Sequence, residues 1–357
     1  MMKCNSLFLF IFTLAHGYAM AQTSQKIDEI LTAYESPNPG AAVAIIKDGK
    51  IIFAKGYGLA NLEEKIKVTD KTNFRLASVS KQFTAAAILQ LIEQHKLSLQ
   101  TRLSDCFPEL PAYANSITIK HLLSHTSGIL DYDDVIDENE NTEQISDEGV
   151  LKASALFTKT YFVPGAQYRY SNTAYVLLGL IIKKYSGLSY PQYLAKYIFK
   201  PLKMNGSVAY VKGLNQIKNR AYGYSKKQNN WFRKDQSSTS ATLGDGGIYT
   251  SLNDLFKWDA ALYNNSILPQ EIWQSAFQNQ KLNDGSEINY GFGWHLKKNT
   301  ANEKVVYHTG STTSFRNVFY RIPSKKLSII ILTNRNTPEE MDMVQLAEKI
   351  IAAYETP

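Results

Sequence analysis

Ser78-Val-Ser-Lys81, followed by the apolar run QFTAAAILQLIEQ over residues 82–94, is the most informative stretch of this chain. The run predicts a buried helix, and a serine and a lysine three positions apart on a helix face the same way. Ser78 then lies at or near the helix N-terminus, where free N–H groups and the helix dipole favour developing negative charge. A serine hydroxyl needs a neighbouring base to act as a nucleophile, and Lys81 can serve only in its neutral form. Taken alone, the spacing also fits a serine and a lysine on an exposed surface.

A second short motif, Tyr170-Ser-Asn172, follows a Pro-Gly turn and precedes an apolar helix predicted over residues 174–182. This context predicts a tight loop, whereas the same triplet pattern at residues 113–115 and 263–265 lacks it. A tyrosine beside a lysine ammonium can relay protons. An asparagine can hydrogen-bond a substrate amide. The alternative for Tyr170 is an ordinary buried tyrosine.

A third motif, His308-Thr309-Gly310, lies at the end of a predicted strand. Gly310 would let a substrate backbone approach closely. The N–H of Ser311 is placed to join that of Ser78 in an oxyanion hole. The alternative for His308 is a structural histidine with satisfied hydrogen bonds.

The order and context of these motifs resemble the serine β-lactamase and penicillin-binding-protein superfamily. The resemblance is strongest to its class C-like branch, which includes class C β-lactamases, D-alanyl-D-alanine peptidases, D-aminopeptidases and esterases. It extends over nearly the whole chain after residue 21, including HLLSHTSG at 121–128, FVPG at 162–165 and GDGGIYTS at 244–251.

The resemblance implies that Ser78 is the acylated nucleophile, that Lys81 is its base partner and that Tyr170 passes the proton to the leaving group. Whether Lys81 or Tyr170 takes the first proton stays open. His121 and His125, within the 121–128 segment, are interpreted as scaffold residues.

One residue departs from the pattern of the β-lactamase branch, which has a lysine where this chain has His308. Histidine is mostly neutral near pH 7 unless its pKa is perturbed. This departure favours the peptidase, D-aminopeptidase and esterase relatives over a β-lactamase. We hypothesise that Arg316 replaces the lost cation if its side chain points into the cleft.

Strand patterns at both ends of the chain, with a mainly helical middle, predict an α+β fold of the β-lactamase and DD-peptidase type. One antiparallel sheet flanked by helices would carry an inserted all-helical lobe, with the active site in the cleft between them. The predicted domain covers residues 22–357. Its α/β lobe takes about 25–84 and 236–357, and its helical lobe about 85–235.

The predicted elements outside the motifs are a helix at 25–34, strands at 41–46 and 50–55 joined by a turn at Asp48-Gly49, strands at 304–308, 314–322 and 327–333, a turn at 323–326, and a helix at 338–354 with Pro338 in its first turn.

The N-terminus predicts a signal peptide over residues 1–21, with Lys3 before a short apolar core at 6–15 and a cleavage site after Ala21. The protein is therefore expected to be exported, periplasmic or secreted, without a membrane span after processing. Cys106 is then the single cysteine, and we expect it to be buried and apolar.

The net charge of +7 is scattered along the chain, without the basic, aromatic-interleaved helix typical of nucleic-acid binding. No His-Glu-x-x-His motif or cofactor pattern is present, so we expect no metal and no cofactor. His121 and His125 have helical spacing without the glutamate of a metal hydrolase. The acidic segment over residues 131–148 fits a solvated loop, or a flap over the cleft that prefers cationic substrates.

These observations predict an exported serine hydrolase that forms an acyl-enzyme with a small amide or ester. D-amino-acid peptides of the cell wall are a candidate substrate, and peptidoglycan is a candidate partner. The alternatives are a class C-like β-lactamase and an envelope protein that binds penicillin or peptidoglycan without turnover.

Overall fold

The computed structural model describes residues 22–135 and 143–356, apart from the side chains of residues 340 and 341. The predicted signal peptide at 1–21 lies outside the described residues. The helices in the described part of the chain are α1 (22–30), α2 (Lys81–Glu93), α3 (Leu103–Cys106), α4 (Ile119–Leu123), α5 (Asp147–Ser154), α6 (Asn172–Ser186), α7 (Tyr190–Leu194), α8 (Leu252–Ala261), α9 (Gln270–Ala276) and α10 (Glu340–Glu355). The strands are β1 (Ala41–Lys47), β2 (Lys50–Tyr57), β3 (Leu59–Asn61), β4 (Ile66–Lys67), β5 (Phe74–Arg75), β6 (Val208–Ala209), β7 (Tyr224–Lys227), β8 (Asn230–Arg233), β9 (Ile248–Thr250), β10 (Gln280–Lys281), β11 (Glu287–Ile288), β12 (His295–Lys298), β13 (Lys304–Thr312), β14 (Phe315–Ile322) and β15 (Leu327–Thr333).

The main sheet is antiparallel and has six strands in the order β12-β13-β14-β15-β1-β2. Both ends of the chain therefore contribute to one sheet, which confirms the predicted fold class. Asp48 and Gly49 have φ angles of 50° and 71°, as a tight hairpin turn requires. Strand β12 was missed because its four residues carry two lysines and show no apolar alternation.

The two faces of this sheet bury different sets of side chains, as the period of two along a strand dictates. One face packs on α1 and α10 through residues such as Val43, Ile329 and Ala347. The opposite face, which includes Ala44 and Ile330, belongs to a larger apolar core shared with the helical part of the molecule. Because the two predicted lobes share this core, the lobe boundaries near residues 85 and 235 stay a prediction.

The helices predicted near the two ends of the chain have different boundaries in the structure. Helix α1 ends at residue 30, and a short 3-10 turn over Thr32–Tyr34 completes the predicted segment. Helix α10 has Glu339 as its N-cap, so Pro338 precedes the helix and does not lie in its first turn. Cys106 is fully buried and free, as predicted. None of the helices formed by the described residues has the length and apolar character that crossing a membrane demands.

A buried ion pair links α8 to the main sheet and gives a stability prediction. The Asp259 carboxylate accepts from Arg321 Nε at 3.1 Å and from Ser328 Oγ at 2.7 Å. We expect Asp259→Ala to lower the free energy of unfolding by about 3–5 kcal/mol, because it leaves the buried guanidinium without a counter-charge. Urea denaturation would measure the loss. The exposed pair Lys183–Glu148 supplies the control, since Glu148→Ala should change stability by less than about 1 kcal/mol. Equal effects of the two variants would contradict this prediction.

Candidate active site

Ser78 lies in the 3-10 turn Ala77–Ser80, directly before α2. Ala77 has a φ of 50°, in the left-handed region that side chains other than glycine rarely adopt. This sharp turn buries Val79 in the core and leaves Ser78 partly exposed. The serine is therefore presented at a helix N-terminus, as the sequence predicted.

The Lys81 ammonium group is fully buried and points at Ser78. Its Nζ lies 3.1 Å from Ser78 Oγ, 2.7 Å from Asn172 Oδ1 and 2.9 Å from the carbonyl oxygen of Asp245. Nζ also lies 4.8 Å from the centre of the Tyr170 ring. Three acceptors match the three N–H groups of a charged ammonium. A proton must leave this group before Lys81 can accept one from Ser78.

His125 holds the loop that carries Tyr170. The sequence analysis interpreted this histidine as a scaffold residue without identifying the loop that it supports. The Ser171 N–H donates to His125 Nδ1 at 3.0 Å, and the Arg169 N–H donates to the His125 carbonyl. The Tyr170 ring packs on the imidazole with centroids 4.2 Å apart. Burial, together with the charge of Lys81, lowers the pKa of His125 well below its usual value. A neutral imidazole therefore supports the tyrosine.

Asn172 is the first residue of α6, and both ends of its amide are engaged. Its Oδ1 accepts from Lys81, while its Nδ2 donates to Asp133 Oδ2 at 2.6 Å. The backbone N–H of Asn172 donates to Asp131 Oδ2, also at 2.6 Å. A donor-only partner on one side and a carboxylate on the other fix the orientation of the amide.

The acidic segment over residues 131–148 therefore contributes side chains to the site. The prediction that the whole segment is a solvated loop is wrong. Asp131 and Asp147 are buried, and Asp147 Oδ1 accepts from the Leu243 N–H at 2.9 Å. Residues 136–142 of this segment lie outside the described part of the chain. Sequence alone gave no sign that Asp131 and Asp133 hold Asn172, about 40 positions away.

His308 lies in β13 but does not face the cleft, because 99% of its surface is buried. Its Nδ1 donates to the Thr309 carbonyl at 2.6 Å, which leaves Nε2 to accept from the Tyr290 hydroxyl at 3.0 Å. Burial lowers the pKa of His308 well below its usual value, and the charge of Lys81 lowers it further. His308 is therefore neutral and does not replace the lysine cation of the β-lactamase branch.

Gly310 allows β13 to pack directly against the turn that carries Ser78. A Cβ atom at this position would lie 2.1 Å from the carbonyl oxygen of Leu76, which no rearrangement of a side chain could relieve. Glycine is therefore required here by the close approach of two backbones.

The edge of β13 beyond β12 offers backbone groups to the cleft. Asn299 N–H donates to the Glu303 carbonyl, and the same register continues to Tyr307. Hydrogen-bonded pairs alternate along an antiparallel ladder, so Tyr307 directs its N–H and C=O toward β12. The backbone N–H and C=O groups of Thr309 and Ser311 point in the same direction as those of Tyr307. Strand β12 begins at His295, the partner of Tyr307, and therefore does not extend to Thr309 and Ser311. The Ser311 N–H and C=O therefore face an open edge.

Ser78 lies between two cavities. The larger, of about 800 Å³, is lined by Tyr170 and Thr309 and by the rings of Tyr168 and His295. The smaller, of about 70 Å³, is lined by Tyr132, Asp133 and Asp245. Burial lowers the pKa of His295 to about 4, so this ring is neutral as well.

Arg316 lines a neighbouring groove with Ser311 and Thr312. Its guanidinium donates to the carbonyl of Thr312 and, at 3.0 Å, to that of Phe315. Its proposed role as a substitute cation stays a prediction.

Residues 22–135 and 143–356 contain no group of three or more His, Cys, Asp or Glu side chains placed to hold a metal ion. His121 and His125 are engaged separately: His121 Nδ1 accepts from the Thr118 N–H at 3.2 Å, and His125 accepts from Ser171.

Comparison with known proteins found a matching family model and similar proteins. A family model described as Beta-lactamase matches residues 24–353. Penicillin-binding protein 4* of Bacillus subtilis (strain 168) is 31% identical over 359 residues, covering 95% of this chain and 79% of that protein.

Two solved structures have similar folds. The octameric penicillin-binding protein homologue from Pyrococcus abyssi has a TM-score of 0.79 and 28% identity, covering 95% of this chain and 78% of that one. The D-amino acid amidase from Ochrobactrum anthropi SV3, complexed with L-phenylalanine amide, has a TM-score of 0.78 and covers 93% of this chain and 98% of that one. At 22% identity, the amidase shows similarity of fold alone.

Proposed function

This chain belongs to the beta-lactamase family, and on that basis we propose that it is an exported serine hydrolase that cleaves a small amide or ester through an acyl-enzyme. The observation that carries the proposal is the 3.1 Å contact between the buried Lys81 Nζ and Ser78 Oγ, at the junction of two cavities. A buried amine in contact with an accessible serine is one arrangement in which an adjacent base can activate the serine as a nucleophile.

In the proposed reaction, Ser78 Oγ attacks the substrate carbonyl carbon as its proton passes to Lys81 or Tyr170. The N–H groups of Ser78 and Ser311 hold the oxyanion of the tetrahedral intermediate. The bond to the leaving group breaks as that group takes a proton by way of Tyr170. Water then attacks the ester on Ser78, releases the acid and returns the proton to the hydroxyl.

The neutral, buried His308 favours substrates without a carboxylate near the scissile bond over β-lactams. A β-lactam carries a carboxylate, and the β-lactamase branch meets it with the lysine that this chain lacks. One relative is named a penicillin-binding protein, so a penicillin is included among the test compounds.

Intact-protein mass spectrometry with parallel assays of released product tests the proposal. The purified protein would be incubated separately with a penicillin, a p-nitrophenyl ester and a D-alanyl-D-alanine peptide. We expect an adduct on Ser78 with the ester or the peptide, and product release over many turnovers. An adduct without turnover would instead support a penicillin-binding role. Neither adduct nor product with any of the three would contradict the proposal.

A further inference from the structure

A groove of about 610 Å³ adjoins the smaller cavity beside Ser78. Thr239, Ser311 and Thr312 line both spaces, so the groove continues the path that leads away from the nucleophile. In the proposed reaction the leaving group takes its proton by way of Tyr170, and it therefore occupies the larger cavity, which Tyr170 lines. The acyl part is bonded to Ser78 and extends toward the groove.

The wall of this groove is mainly cationic. The positively charged side chains that line it are Lys226, Lys227, Lys234 and Arg316. These four side chains line neither of the two cavities that contain Ser78. Among the residues that the structure describes, Asp133 is the single carboxylate in the lining, and its Oδ2 accepts from Asn172 Nδ2 at 2.6 Å. Like charges around a concave surface attract ions of the opposite sign. The groove is therefore electropositive at some distance from the nucleophile.

The other acidic side chains near the groove are engaged elsewhere. Asp235 forms an ion pair with Arg220. Three further carboxylates accept hydrogen bonds on the buried side of the site and do not line the groove; they are Asp131, Asp147 and Asp245. Two buried cations, Lys81 and Arg75, lie close to Asp245. The interior thus holds charges of both signs, whereas the wall of the groove is mainly positive.

The two adjacent lysines of the groove are carried by a hairpin that is tied to the main sheet. The Tyr224 N–H donates to the Asn334 carbonyl at 3.0 Å, and the Asn336 N–H donates to the Tyr224 carbonyl at 3.2 Å. The backbone N–H of Lys226 donates to Asn336 Oδ1 at 3.1 Å. Asn334 and Asn336 directly follow β15. The backbone of Lys226 and Lys227 therefore has a fixed position relative to the strands that carry the site.

Arg316 adds a cation whose position is also fixed. Its guanidinium donates to the carbonyl oxygens of Thr312 and Phe315. Carbonyl oxygens hold the group in place without neutralising its charge. Further hydroxyl-bearing side chains in the same lining are those of Ser225, Ser237 and Thr313. Hydroxyl, ammonium and guanidinium groups are the donors that anionic oxygens accept most strongly when one partner is charged.

We propose that this groove binds an anionic group, a phosphate or a carboxylate, on the acyl part of the substrate. Lys226 and Lys227 pair with the anion, and Arg316 and the neighbouring hydroxyls donate to its oxygens. Asp133 lines the smaller cavity as well as the groove, so it repels an anion close to the scissile bond and selects a remote one. The substrates are then amides or esters of acids that carry a remote negative charge. This inference rests on the proposed function and narrows its substrate class.

The test uses p-nitrophenyl esters whose acyl chains differ only in the terminal group. Six-carbon and eight-carbon chains would end in a carboxylate, a phosphonate, a neutral carboxamide or an ammonium group. We expect kcat/KM for an anionic ester to exceed that for the carboxamide by about 3- to 30-fold, the range that two or three exposed ion pairs supply. The preference should fall as salt is added, because exposed charges are screened. Comparison of the phosphonate with the carboxylate shows which anion is bound.

The double variant Lys226→Gln with Lys227→Gln should lower this preference by about 3- to 10-fold. Lys227→Glu should shift the preference toward the ammonium ester. The matched control is Lys281→Gln with Lys298→Gln, which removes the same charge from a groove that does not include Ser78. Its preference should equal that of the wild type. Equal kcat/KM for the anionic and carboxamide esters in the wild type would overturn the inference. So would an equal loss in the double variant and the control, because net charge alone would then explain the preference.

The uncharged carboxamide ester separates the two proposals. Acylation of Ser78 by this ester, seen by intact-protein mass spectrometry, with no preference for either anion, would overturn the anion-binding groove and leave the hydrolase intact. Failure of every ester to modify Ser78 would contradict the proposed function and the anion-binding groove together.

Discussion

Ser78→Ala is expected to abolish the covalent adduct and to lower kcat by about 10⁴-fold or more, the range found when a serine nucleophile is removed. The variant deletes the one atom to which the acyl group would be bonded. It should leave the fold intact, since Ser78 is partly exposed and its side chain contributes one hydrogen bond, from Lys81. Intact mass after incubation with an ester, and initial rates with the same ester, measure both effects.

Ser80→Ala is the matched control for this prediction. Ser80 lies in the same turn, but its hydroxyl is buried and accepts from the Ile248 N–H at 3.2 Å. We expect this variant to form the adduct while its free energy of unfolding falls by about 1–3 kcal/mol, the penalty for an unsatisfied buried group. An adduct that persists in Ser78→Ala would place the nucleophile elsewhere and contradict the mechanism.

Lys81→Met is expected to lower the rate of acylation by about 10²- to 10⁴-fold, the usual contribution of a general base. Methionine approximates the volume of the lysine stem but cannot take the serine proton or donate to Asn172. Lys81→Arg is the informative companion, because it retains charge and donors but cannot be deprotonated in proteins. Both variants should be slow to acylate if Lys81 is the base, whereas a purely structural role would leave Lys81→Arg active.

Single-turnover measurement of acylation distinguishes these outcomes from defects in deacylation. Lys297→Met is a suitable control, since Lys297 lines the larger cavity and pairs with Glu348 at 2.7 Å without contacting Ser78. A Lys81→Met variant that acylates within about tenfold of the wild-type rate would contradict this assignment. In that case Tyr170→Phe should lower the acylation rate more than Lys81→Met does, and the tyrosine would be the base.

Much of the fold was predictable because its signals are local. The runs of β-branched residues in β1 and β15 predict strands from the local sequence alone. Asp48-Gly49 supplies the positive φ angles of the turn between β1 and β2. Strand β12 was not predictable, because its residues become a strand only by pairing with β13.

The geometry of the site was predictable to the extent that it depends on spacing along one element. Ser78 and Lys81 are three positions apart, and the 3-10 turn Ala77–Ser80, which leads directly into α2, brings their side chains into contact. Gly310 was predicted to admit a substrate backbone, whereas the close approach in the structure is to the carbonyl of Leu76 within the chain itself.

The sequence by itself therefore determined the hairpin of β1 and β2, the buried helix α2 and the pairing of a serine with a lysine, because each depends on neighbours a few residues apart. The tertiary structure alone decided that His308 is buried and neutral and that Asp133 faces the smaller cavity beside Ser78. Those properties arise from desolvation and from contacts with groups such as Asn172, which lie far away in the chain. Burial and charge pairing depend on what the fold places around a side chain, and residue order does not specify that directly.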